Sequence, residues 1–140
     1  MKNKNSEVEK HVKQWIEIAE EDLSVAILGL SVSSSVSYRI ISFHSPQCAE
    51  KYLKAFLVFN NLEFPYTHNI TTLIDLCARV DNTFESLRDA EILSSYATAN
   101  RYPGEFEKLK KSDAVKSVKL SERVASFVKK KLKAAGFKNF

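Results

Sequence analysis

Glycine and proline are scarce, with three of each among 140 residues. A chain of many short strands needs turn residues to reverse its direction repeatedly, so this scarcity excludes an all-β sandwich or barrel and favours long helices with few connections. Cysteine is scarcer still. Cys48 and Cys77 each fall inside a helical apolar pattern, with no CxxC pair or Cys/His ligand set beside them. Both are expected as reduced core residues, and neither a metal nor a cofactor is implied. No apolar run approaches the roughly 20 residues of a membrane span. Met1 to Lys10 is polar and charged, unlike the apolar segment of a signal peptide, so a cytoplasmic location is expected.

What is present suits one helical domain. Hydrophobic residues make up 44% of the chain, enough for a continuous core without disulfides, and a single domain over 1–140 is expected. The net charge of +4 is unevenly spread. From Glu105 to Phe140 there are eleven Lys and Arg against four acids, so an anionic partner is to be sought at that end.

The apolar spacing predicts an all-α bundle of about five helices, antiparallel and up-and-down. The first runs from about Glu7 to Leu28, with Val12, Trp15, Ile16, Ala19, Leu23, Ala26 and Ile27 on one core stripe. A serine-rich connection over 31–35 leads to a second helix from about Val36 to Asn60. Its density of aromatic residues makes it the central one. Pro46 removes a backbone donor there, and a kink is expected rather than a break. Thr67 is placed to cap a third helix that ends near Asp81, and a fourth covers about 84–99 with Leu87, Ala90, Ile92, Leu93 and Tyr96. Pro103 and Gly104 mark a loop. A last helix from about Asp113 to Ala135 ends at Gly136.

Within the second helix, the string from Phe43 through His44, Ser45, Pro46, Gln47, Cys48, Ala49, Glu50, Lys51, Tyr52, Leu53 and Lys54 to Ala55 resembles the central helix of the HEPN family. In that family a Phe-His pair leads into Gln, then Glu-Lys, then Leu-Lys-Ala. Trp15, Ala19, Asp22 and Leu23, then Thr67-His68, then Arg101-Tyr102-Pro103 agree in order, so the resemblance covers nearly the whole chain. It implies a helical bundle that forms a homodimer. It also implies nucleotide or RNA binding, and the toxin half of a toxin–antitoxin module whose partner is a minimal nucleotidyltransferase. In such a setting Tyr102 is the tyrosine for the partner to modify.

Family ribonucleases carry an Arg followed after four to six residues by His near the start of a late helix. Here Phe106, Glu107 and Lys108 occupy the positions after Arg101 where that His would fall, so binding is expected rather than catalysis. Arg39 and His44 satisfy the spacing, but both lie in the second helix and point about 140° apart around its axis.

His44, Gln47, Lys51 and Lys54 recur at steps of three and four, making a polar stripe on an otherwise apolar helix. In one reading it is a groove where Lys51 meets a phosphate while His44 and Gln47 orient the ligand. In the other these groups cap loops, face water, or pair with Glu50 or Asp22. His68 beside a helix start favours an anion or serves in packing. Arg101 and Tyr102 offer a cation and a stacking ring for a nucleotide, or else pack on the bundle. Lys116, Lys119, Arg123, Lys130 and Lys133 share a face opposite Val118, Ala125, Val128 and Leu132. That face suits a nucleic-acid backbone, or is simply solvated. The alternatives to a binding module are a divergent metal-independent ribonuclease, with His44 or His68 as general base and Arg101 on the phosphorane, and a non-catalytic dimerisation or scaffold domain.

Overall fold

A computed structural model describes residues 2–32, 35–99 and 109–140. The chain is an all-α helical bundle: α1 (Lys2–Gly29), α2 (Ser35–Phe59), α3 (Ile70–Val80), a 3₁₀ helix η1 (Asn82–Ile92), α4 (Leu93–Ala99) and α5 (Lys111–Ala134). The predicted loop at 100–104 lies outside the described residues.

Pairings along α2 give the topology. Glu20 meets Tyr52, Asp22 meets Lys51 and His44, and the Gly29 backbone closes on Ile41, so α1 runs antiparallel to α2. On the other side, the Ser121 hydroxyl donates to the Ser45 carbonyl at 2.5 Å, Lys129 lies over the Tyr52 ring, and Phe59 meets Phe137. The numbers rise together, so α5 runs in the direction of α2. Residues 60–69 cross back along α2: Leu62 bonds to Leu57, the Phe64 ring sits beside Lys54, and His68 reaches Glu50. That return starts α3 beside the middle of α2. It is what brings His68 to the central helix.

The core follows the apolar stripes. Val12, Ile16, Ala19 and Leu23 of α1 pack on Cys48, Tyr52, Leu53 and Phe56 of α2 and on Val124, Val128 and Leu132 of α5. Burying each Val, Leu or Phe contributes about 1.5–3 kcal/mol relative to exposure. Ile27 differs from its expected core place and is 46% exposed. Ala26 takes the inward position against Ile41, Ala114 and Val118, and Ile27, about 100° further round the helix, faces out.

α2 is continuous through Pro46. The α3 cap is Asn69, whose side chain accepts from the Thr72 backbone, rather than Thr67. Thr67 instead accepts from the backbone N–H of Asn69 at 3.0 Å. The predicted fourth helix opens as 3₁₀. Phe84, Leu87, Ala90, Leu93 and Tyr96 are all buried, at every third residue, which is the 3₁₀ period rather than 3.6. The Lys110 N–H donates to the Asp113 carboxylate at 2.9 Å at the start of α5. Gly136, at φ +100°, ends that helix and turns Phe137 back into the core. Cys48 and Cys77 are buried and unpaired, and burial pushes both thiols far above their ordinary range.

Candidate functional site

The polar stripe of α2 divides between two carboxylates. Asp22, nearly buried on α1, takes His44 Nδ1 on Oδ1 at 2.8 Å and Lys51 Nζ on Oδ2 at 2.5 Å. Lys51 also donates to Gln47 Oε1 at 3.3 Å. His44 and Lys51 are therefore held toward α1 by a charge-assisted pair and a shared acceptor.

The second carboxylate is Glu50, 4% exposed. Its Oε1 lies 2.6 Å from His68 Nδ1 and 3.8 Å from the ammonium of Lys54. Lys54 is itself buried and rests over the rings of Trp15 and Phe64, at 5.5 and 5.8 Å. An ammonium over aromatic faces loses less on desolvation than one in aliphatic surroundings. This arrangement keeps Glu50 inside the protein. A carboxylate accepts, so the His68 ring donates from Nδ1, and Nε2 is the nitrogen left to meet a ligand.

Beside this pair is a cavity of about 270 Å³ lined by Phe43, Pro46, Gln47, Glu50, His68 and Ala97. One exposed aromatic ring lines it, and another stands against its His68. Phe43 is 44% exposed and belongs to the lining, and Tyr66, 93% exposed, stands edge-on to His68 with ring centres 5.4 Å apart. The Tyr66 ring is open to a ligand that stacks.

Gln47 and His68 thus share one cavity, while His44 and Lys51 turn to Asp22 next to it. Arg101 and Tyr102 lie outside the described residues. Ala97 of α4 lines the cavity. Sequence reasoning did not single out Tyr66 or Ala97. Tyr66 follows Pro65 in a segment without periodicity, and only the return of that segment along α2 reveals what it faces. Among the described residues there is no cluster of three or more His, Cys, Asp or Glu able to hold a metal ion.

Lys116, Lys119, Arg123, Lys130 and Lys133 of α5 are exposed on the side away from the core. Lys116, Lys119 and Arg123 line one concavity, and Arg123, Lys130 and Lys133 line a second. Arg123 is bound to Asp89 and donates to the Ser86 carbonyl at 2.6 Å. Nearby, Lys129 bonds Glu20 at 2.5 Å. Burial raises the Glu20 pKa, but the bonds from Lys129 and the Tyr52 hydroxyl outweigh it and hold the carboxyl below its ordinary value.

Comparison with known proteins agrees with this architecture. The HEPN domain family model matches residues 12–131. The chain belongs to the HEPN family. A solved structure described as an archaeal HEPN homologue superposes with a TM-score of 0.69 at 27% identity, covering 86% of this chain and 97% of that one. A comparison with curated proteins finds no match. No helix among the described residues of this HEPN domain is long and apolar enough to cross a membrane.

Proposed function

We propose that this HEPN domain binds a nucleotide or a single-stranded RNA segment at the cavity between α2, the 60–69 connection and α4. One observation carries the reading: the exposed Phe43 ring lines a cavity furnished with the Gln47 amide and the Glu50–His68 pair, and the exposed Tyr66 ring stands against His68. A base stacks on an exposed ring and gains about 1–3 kcal/mol. The Gln47 amide and Glu50 carboxylate offer a donor and acceptors to a base edge, and His68 Nε2 a contact to ribose or phosphate. Lys51 and His44 support the site by fixing Gln47 and the Asp22 side of α2. Calorimetry against ATP, other nucleotides and a short single-stranded RNA tests this. Micromolar binding that weakens about tenfold in Tyr66→Ala and His68→Ala supports it, on the scale of one lost stacking contact. Silence in every titration sinks it and leaves the scaffold reading.

Family membership motivates the remainder of the proposal. The chain acts in the cytoplasm as the helical, toxin-like half of a two-component module with a minimal nucleotidyltransferase, and as a homodimer. For the dimer there is support in the fold: Ile18, Val25 and Leu28 of α1, Val32 just after it, and Ile40 and Phe43 of α2 are all substantially exposed. Light scattering should give twice 15.9 kDa, returning to the single value in Val25→Glu/Ile40→Glu. Co-purification with the product of an adjacent nucleotidyltransferase reading frame tests the module.

A second reading, a metal-independent ribonuclease, draws support from the orientation of His68 by a buried carboxylate, as a general base requires. RNA cleavage that survives chelator but is lost in His68→Ala and Arg101→Ala would establish it. Intact RNA at every protein concentration retires it.

A further inference from the structure

The cavity beside Glu50 and His68 is small, about 270 Å³. Pockets that take a whole drug-sized ligand measure roughly 300–1,000 Å³, so this one admits a flat ring and leaves ribose and phosphates outside. Its wall carries the Glu50 carboxylate and, among the described residues, no Lys or Arg. A phosphate inside would face that carboxylate with no lysine or arginine in the wall to offset it, so the group admitted is uncharged and supplies N–H donors. The two polar side chains of α2 in the wall are already oriented. Lys51 Nζ donates to Gln47 Oε1 at 3.3 Å, which fixes the amide and leaves Nε2 to donate to a ligand. Both partners of Glu50, His68 Nδ1 at 2.6 Å and Lys54 Nζ at 3.8 Å, stand at Oε1. Oε2 is left to accept. Gln47 and Glu50 are three residues apart on α2, so the wall presents an amide donor next to a carboxylate.

From this pairing we infer that the cavity selects guanine. Guanine is the base whose Watson–Crick edge carries two neighbouring donors, N1–H and the 2-amino group, beside one acceptor, O6. Oε2 and the remaining lone pair of Oε1 take the two donors, and the Gln47 amide meets O6. Adenine and cytosine offer the carboxylate one amino group, and uracil and hypoxanthine one ring N–H. Each leaves a contact to a charged acceptor unmade, and a site built on such contacts rejects the analogue that lacks them. Stacking on the exposed Phe43 ring tolerates every base, so it adds affinity while Gln47 and Glu50 make the choice. The inference rests on nucleotide binding at this cavity and names the base that it takes.

Calorimetry of the full chain against GTP, ITP, ATP and XTP tests it, with the RNA trinucleotides UGU, UIU and UAU as the same comparison for a polymeric ligand. GTP should bind at least about tenfold tighter than ITP, which lacks only the 2-amino group, and than ATP. XTP, with a carbonyl in place of that amino group, should bind the wild type at least about tenfold more weakly than GTP. In Glu50→Gln the new amide keeps its oxygen on the His68 N–H and turns its NH₂ to the ligand. GTP binding should then fall about tenfold while XTP binding rises, a gain that lost stability cannot produce. Should the variant fail to fold, the wild-type comparison of GTP with ITP decides alone. Binding of GTP, ITP and ATP within about twofold of one another overturns the inference and leaves nucleotide binding intact. A tighter ATP complex, or a GTP preference unchanged in Glu50→Gln, overturns it as well. Silence toward every nucleotide and every trinucleotide overturns both the inference and the reading beneath it.

Discussion

Glu50 and His68 stand eighteen residues apart in sequence and 2.6 Å apart in the fold, the carboxylate buried on α2 and the imidazole half in water. The pair exists because residues 60–69 run back along α2 instead of leaving its end. It has two physical consequences: the imidazole is held in one orientation, and a buried negative charge is shared between the ring and the Lys54 ammonium.

Replacing Glu50 by Gln keeps the shape and removes the charge. Lys54 is then a buried cation without a carboxylate, a situation that costs about 3 kcal/mol or more. Thermal denaturation should show a midpoint lower by roughly 10 °C for a domain of this size. A midpoint within 2 °C of the wild type, on the order of 0.5 kcal/mol, would show that Glu50 is not a structural anchor.

Asp81 gives a pH signature. Its side chain accepts from the Thr83 hydroxyl at 2.6 Å and lies 2.9 Å from Lys131 Nζ, tying the η1 start to the end of α5. These bonds, Thr83 first, lower its pKa from 3.8 to about 2. The unfolded chain therefore binds this proton more readily than the folded one, so the contribution is complete above about pH 4 and disappears as pH falls toward 2. Urea unfolding of Asp81→Asn between pH 6 and pH 2 should show a smaller acid loss than wild type. Parallel curves would mean that the carboxylate adds nothing.

At Gly29 the backbone of α1 lies close against α2. A Cβ there would lie 2.7 Å from Ile41 Cγ1, and Ile41 is fully buried. Gly29→Ala should destabilise by about 1–3 kcal/mol through overpacking, in spite of alanine's better helix propensity. In an Ile41→Ala background the same change should cost little or even stabilise, and the double-mutant cycle measures the difference. Equal costs in both backgrounds would place the strain elsewhere.

The core stripe of α1 and the centrality of α2 were legible because 3.6-residue spacing reports a buried face directly. The cap of α3 was not, because Thr67 and Asn69 are both capping residues and only the crossing segment decides between them. The 3₁₀ stretch was encoded in the strict three-residue recurrence from Phe84 to Tyr96, a period close enough to 3.6 to be read as an α-helix. At the candidate site, the spacing of His44, Gln47 and Lys51 shows that they share a side of α2. It does not show that Asp22 draws two of them toward α1, since that depends on the antiparallel register of two helices. Ala97 reaches the cavity, and Tyr66 reaches its His68, through long-range packing, for which local pattern carries no signal.

The most direct test of the binding site is an NMR titration of the isotope-labelled protein with ATP and with a short single-stranded RNA, following the Gln47 side-chain amide, the His68 imidazole and the Tyr66 ring. These three groups should shift together and saturably, with the His44 ring following weakly through Gln47 and Lys51. Shifts confined to α5, or no shift at the cavity with either ligand, would contradict it.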